Sequence, residues 1–146
     1  MGPMIVDELL DVYFEELDAD HRLSDKTRYD YRAYAELYVR PLLGRTKVRL
    51  LTPEVVLAWQ RRLSSKGKAA NTIRLARAPL SGAVKLAVAR GLLAASPMAS
   101  VPRPVSVRKV PGHWSPEEAR TFLASEEGDR LYPLWAFLLG CGLPYR

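Results

Sequence analysis

Arg74, Arg77, Ser81 and Lys85 recur at spacings of three and four, and on a helix advancing about 100° per residue they fall within about 80° of one another. Two guanidiniums, an ammonium and a hydroxyl on one face suit phosphate oxygens and guanine edges, because arginine's fork of donors matches both. Asn71 and Thr72 precede this strip and can reach a nucleic-acid backbone or bases. Lys66 and Lys68, in the loop before them, add phosphate contacts. Lys26, Thr27, Arg28 and Arg32 form a similar start earlier in the chain. The bland alternative is that these long side chains lie over the core with their charges in water.

Charge distribution favours the first reading. From Val55 to Pro116 there is no aspartate or glutamate for 62 residues, against eleven lysines and arginines. Residues 1–21 hold seven acids and no Lys or Arg, and residues 117–146 hold five acids and three bases. The middle, 22–116, therefore carries nineteen bases minus four acids, a net +15, which the overall +6 conceals. Such a field attracts polyanions and binds them by counterion release.

The elements that must position these groups are helical. Ile5, Val6, Leu9, Leu10, Tyr13, Phe14 and Leu17 predict a first helix over 5–20. A second starts near Ser24 as N-cap, buries Tyr31, Tyr34, Leu37 and Tyr38, and stops between Pro41 and Gly44. Thr52-Pro53-Glu54 opens a third, with Val55, Val56, Trp59 and Leu63 inward. The fourth runs from about Ala70 to Arg90 and stops at Gly91. Pro79 inside it predicts a kink or a break. Ile73, Leu80, Val84 and Ala87 form its core side, away from the basic strip.

Residues 95–112, with Pro97, Pro102, Pro104 and Pro111 beside Arg103, Arg108 and Lys109, read as an extended basic connector. Ser115-Pro116-Glu117-Glu118 then has the spacing of a capping box and starts another helix, followed by the apolar run from Leu131 to Leu143. That run spans 13 residues, includes Pro133, Gly140 and Gly142, and is too short to cross a bilayer. About 30 residues cannot bury a core of their own, so this piece reads as the opening of a second, incomplete domain. Gly2 and Pro3 after Met1 read as a cloning remnant.

Other chemistries lack support. His21, His113 and Cys141 have no metal-ligand spacing. The single cysteine and the lack of a signal-peptide pattern point to the cytoplasm. No glycine-rich phosphate loop is present, so no nucleotide cofactor is expected. Tyr29, Tyr31, Tyr34 and Tyr38 have helical spacing that favours packing over base stacking.

The order of parts resembles the tyrosine recombinase (phage-type integrase) family. The resemblance rests on Val6-Asp7-Glu8-Leu9-Leu10, Ser24-Asp25-Lys26-Thr27 with Tyr31, and Leu51-Thr52-Pro53 with Trp59. It continues through Asn71-Thr72-Ile73-Arg74, Ala83-Val84, Arg90-Gly91-Leu92-Leu93 and Ser96-Pro97 to His113-Trp114-Ser115-Pro116-Glu117-Glu118. It implies an all-α chain with a four-helix, SAM-like core-binding DNA-binding domain over 4–94 and a linker over 95–112. The first one or two helices of a catalytic domain would occupy 113–146. It also implies site-specific binding of double-stranded DNA at core-type sites, self-association on DNA in the full protein, and a phage or prophage gene in a bacterial host. Membrane and small-molecule partners are not implied.

The family's nucleophilic tyrosine and most phosphate-binding groups would lie beyond residue 146, so no catalytic residue is assigned and no catalysis is expected of this chain. In the family a Gly-Leu-Arg turn supplies the first catalytic arginine. Here Gly142-Leu143 is followed by Pro144, Tyr145 and Arg146. Either Arg146 is that arginine displaced by two positions, or the arginine is lost or altered. Two competing classes are a helical adaptor for an acidic protein and a stand-alone DNA-binding regulator.

Overall fold

The computed structural model describes residues 2–107 and 112–142, so Arg108, Lys109 and Arg146 lie outside the described residues. The chain divides into two units, one ending at Val107 and the other beginning at Arg108. Among the described residues all regular elements are helical, joined by one isolated bridge between Ile5 and Lys47. No helix among them is long and apolar enough to cross a membrane, and no group of three or more His, Cys, Asp or Glu could hold a metal ion.

In the first unit, α1 (Val6–Ala19) buries Val6, Leu9, Leu10, Phe14 and Leu17, the face its periodicity predicts. Its first amides would lack partners within the helix. Val6 N–H donates to the Thr46 carbonyl at 2.9 Å and Asp7 N–H to Gly44 at 3.0 Å, while Glu8 accepts from Ile5 N–H at 3.0 Å. The turn at residues 44–46 therefore closes the start of α1. A side chain at Gly44 would collide with the Asp7 carboxylate, which explains glycine there.

The second helix departs from the sequence expectation. α2 (Asp25–Tyr34), capped by the Ser24 hydroxyl, passes into a π-helical turn over Ala35–Val39 and then the short α3 (Arg40–Leu43). A 3.6-residue period carried through from Tyr31 puts Leu37 inward. In the structure Leu37 is 64% exposed, whereas Ala35 and Val39 are fully buried. The wider i to i+5 turn changes the angular phase, and the buried face moves to different residues. Tyr31, Tyr34 and Tyr38 are half-buried and pack against the core.

α4 (Pro53–Ser65) begins as its sequence predicts, with the Thr52 hydroxyl accepting from Val55 N–H at 3.4 Å and Pro53 in the first turn. Trp59 is buried, and its indole N–H donates to the Tyr38 carbonyl at 2.8 Å, joining α4 to the π turn. α5 (Ala70–Ala89) is the central helix, against which α1, α2 and α4 all pack. Pro79 is buried within it without ending it. Its missing N–H removes one hydrogen bond, and packing on three sides holds the helix together. Gly91, at φ 71°, ends it, with Leu92 N–H reaching back to the Ala87 carbonyl at 2.8 Å. α1 comes close to α5 at Gly82, where any Cβ would strike the Tyr13 ring.

After α5, Met98 and Val101 return to the core of this unit, although the proline-rich composition assigns them to an open connector. The second unit contains α6 (Pro116–Ser125) and α7 (Tyr132–Cys141). Ser115 and Glu118 form the expected capping box, at 3.2 and 2.7 Å. Phe122 packs edge-on between Trp114 and Trp135. No described residue of this unit is buried, and Leu134 and Phe137 of α7 are about half exposed.

Candidate nucleic-acid interface

Two grooves in the first unit bring together five cations that have no carboxylate partner among the described residues. The first, of about 400 Å³, is walled by Arg74, Arg77, Ser81 and Lys85 of α5, with Asn71 at the helix start, Tyr13 and Tyr31 behind, and Arg103 from beyond α5. Leu23, Leu75 and Ala78 add apolar surface beside these groups. The second groove, of about 380 Å³, lies between α4 and α5 and is lined by Arg61, Ser64 and Lys68 with Arg103 and Pro104. Arg103 borders both.

Arg74, Lys85, Arg61, Lys68 and Arg103 are exposed and make no ion pair among the described residues, as the acid-free span leads one to expect. Lys68 places its ammonium 5.5 Å from the centre of the Tyr38 ring, an attraction that orients the side chain and leaves its charge available. Lys66 is exposed at the end of α4, and Thr72 is half-buried; neither lines the two grooves.

Arg77 corrects the sequence expectation. It belongs to the same i, i+3 strip as Arg74 but is only 7% exposed, and it donates to the Gln60 side-chain oxygen and to the carbonyls of Met98, Val101 and Pro102 at 3.2–3.4 Å. The start of the connector covers it. Burial, and then the neighbouring Arg103 charge, lower its pKa from the usual arginine value.

The α2 group is also committed internally. Lys26 pairs with Asp30 at 2.8 Å, and the Thr27 hydroxyl shares a hydrogen bond with Ser24. Arg28 pairs with Asp25 and donates to the Asp18 carbonyl. Arg32 grips Asp18 at 2.6 Å and lies 5.1 Å from the Phe14 ring centre. The Arg32 hydrogen bond is the main reason the Asp18 carboxyl titrates below its ordinary value. The corresponding strip on α2 is therefore neutralised by its own neighbours, unlike the strip on α5.

Arg61 is a groove residue that the α5-centred reading passes over. Its signal is present, because Leu57, Gln60, Arg61 and Ser64 share one helical face within the acid-free span. Tyr13 is a second addition. Burial, helped by Tyr31, pushes its phenol up to about 12, and it lines the first groove with Lys85.

Residues 6–64 match the family model described as phage integrase, N-terminal SAM-like domain. No curated protein matches the chain. Among solved structures, the chain is similar to a lambda integrase dimer bound to a COC' core site, at 22% identity and TM-score 0.72, covering 88% of this chain and 35% of that one. It is also similar to the Tn1549 transposon integrase in complex with circular intermediate DNA, at 18% identity and TM-score 0.72, covering 93% and 46%. A third similarity is to an integrase-like domain from Bacillus cereus, at 19% identity and TM-score 0.62, covering 79% of this chain and all of that one. The chain thus spans between about a third and a half of the two DNA-bound integrases. Residues 6–64 of the first unit are thus similar to the N-terminal SAM-like domain of phage integrases.

Proposed function

We propose that this chain is the DNA-holding part of a site-specific tyrosine recombinase and grips a core-type duplex site through the two grooves bordering α5. The observation that carries this reading is the set of five unpaired cations, Arg61, Lys68, Arg74, Lys85 and Arg103, around grooves that meet at Arg103. Phosphates would occupy both grooves, while Asn71 and the apolar surface of Leu75 and Ala78 face bases. Strand cleavage belongs to residues other than these 146, in keeping with the fraction of the DNA-bound integrases that the chain spans. Self-association on DNA and a cytoplasmic setting complete the proposal. The lambda relatives are described as a core-site dimer and as a tetramer on a Holliday junction.

The test is fluorescence anisotropy with a labelled duplex of about 20 to 30 base pairs over a salt series. Five neutralised phosphates at about −0.9 each predict a slope near −4.5 for log K against log salt. Arg74→Ala with Lys85→Ala should reduce its magnitude by about 1.8, because two of those contacts disappear. Failure to bind at low salt would refute DNA holding and leave an acidic protein as the partner. An unchanged slope in the folded double variant would remove the α5 face from the interface.

A further inference from the structure

The buried Arg77 guanidinium is the least expected feature of the groove. Its acceptors are neutral: the side-chain oxygen of Gln60 on α4 and the carbonyls of Met98, Val101 and Pro102. Gln60 in turn donates to the Pro102 carbonyl at 3.2 Å, so α4, α5 and the connector are tied at one point. A buried charge without a carboxylate is costly unless dipoles surround it. These carbonyls provide them only while residues 98–102 follow their observed path. The Met98 and Val101 side chains, 6% and 5% exposed, secure that path from the core side.

The next residue is Arg103. Pro102 precedes it and Pro104 follows, which limits its backbone to extended conformations. A chain fixed at Pro102 therefore has little freedom to carry Arg103 away from the boundary between the two grooves.

We propose that Arg77 is a positioning residue that latches the connector and thereby fixes Arg103 as a phosphate contact shared by the two grooves. The inference rests on the DNA-holding reading. Arg77 acts through Arg103 and does not touch DNA itself.

The experiment compares the salt slope of duplex binding for the unsubstituted chain, Arg77→Met, Arg103→Ala and the double variant. Circular dichroism establishes that each is folded at the assay temperature. Methionine keeps much of the apolar stem and removes every donor. Arg77→Met and Arg103→Ala should each reduce the slope's magnitude by about 0.9, and the double variant should lose no more than either single one. Should Arg77→Met fail to fold, Gln60→Leu replaces it, because it breaks the same tie from α4 and predicts the same non-additive loss. Additive losses, or an unchanged slope in a folded latch variant, overturn the latch while leaving DNA holding intact. Absence of binding by the unsubstituted chain overturns both.

Discussion

Gly82→Ala should destabilise the first unit, and the same substitution should stabilise it once Tyr13 is truncated. Gly82 has an ordinary negative φ within α5, so alanine would adopt the backbone without strain and gain about 0.8–1 kcal/mol in helix propensity. Against that, the new methyl would fall inside van der Waals contact of the Tyr13 hydroxyl and Cζ, and within 2.7 Å of Cε2. Overpacking of this kind costs about 1–3 kcal/mol. Tyr13 is half-buried and packs against the core, so its ring cannot yield without losing contacts. The net expectation is a loss of about 1 kcal/mol. In a Tyr13→Ala background the obstruction is absent, and Gly82→Ala should gain about 1 kcal/mol. Urea unfolding of the four proteins measures both changes, and their difference, about 2 kcal/mol, is the coupling between the residues. Equal effects in the two backgrounds would refute the close approach of α1 and α5 at Gly82, and with it the position of Tyr13 in the groove wall.

Two further predictions concern the π turn and the tyrosine. Leu37→Lys should change stability by less than about 0.5 kcal/mol, whereas Val39→Ala should cost about 2 kcal/mol; the reverse order in chemical denaturation would restore an uninterrupted α-helical register. The Tyr13 phenol, raised from 10.0 to about 12, binds its proton more tightly folded than unfolded, so its contribution is intact below pH 10 and disappears as pH rises through 12. Alkaline titration of tyrosinate absorbance should show a late-ionising group missing from Tyr13→Phe, and that variant should lose less stability between pH 10 and 12.

What the sequence discloses about this fold is mostly local chemistry. Thr52-Pro53 and Ser115 with Glu118 start their helices because a hydroxyl and a carboxylate satisfy free amides within three residues. Gly91 ends α5 because its backbone reaches positive φ. These signals need no knowledge of distant residues. The π turn after Tyr34 leaves no such mark, since an added phase shift is invisible to a pattern read at constant period. Met98 and Val101 are concealed by the prolines around them, whose composition indicates a connector wherever it packs. Arg77 is the most instructive case. It lies about 60° around the helix from Arg74 and about 20° from Val84, at the edge of the core face, and a set of carbonyls more than twenty residues further along the chain completes its burial. Arg61, by contrast, was legible from the face it shares with Leu57 and Ser64.

The segregation of acids affects the field of the first unit more than its stability. Asp18 neutralises Arg32, Asp7 and Asp11 neutralise Arg40, and Glu16 reaches Arg90, so acids of α1 are used on cations of α2, α3 and the end of α5. Exposed pairs of this kind contribute little to folding, about 0–1 kcal/mol each. Their larger effect is subtractive, because they cancel positive charge near α1 and leave the cations of the two grooves uncancelled. Among the described cations between Val55 and Pro116, Arg90 alone has a carboxylate partner. The same sixteen acids spread evenly along the chain would keep the net +6 and place several beside Arg61, Arg74 and Lys85. The groove field would then fall toward that of an ordinary mixed surface. A carboxylate introduced at Ser81, between Arg74 and Lys85, would supply that cancellation at one point, lowering both duplex affinity and the salt slope while the helix remained intact.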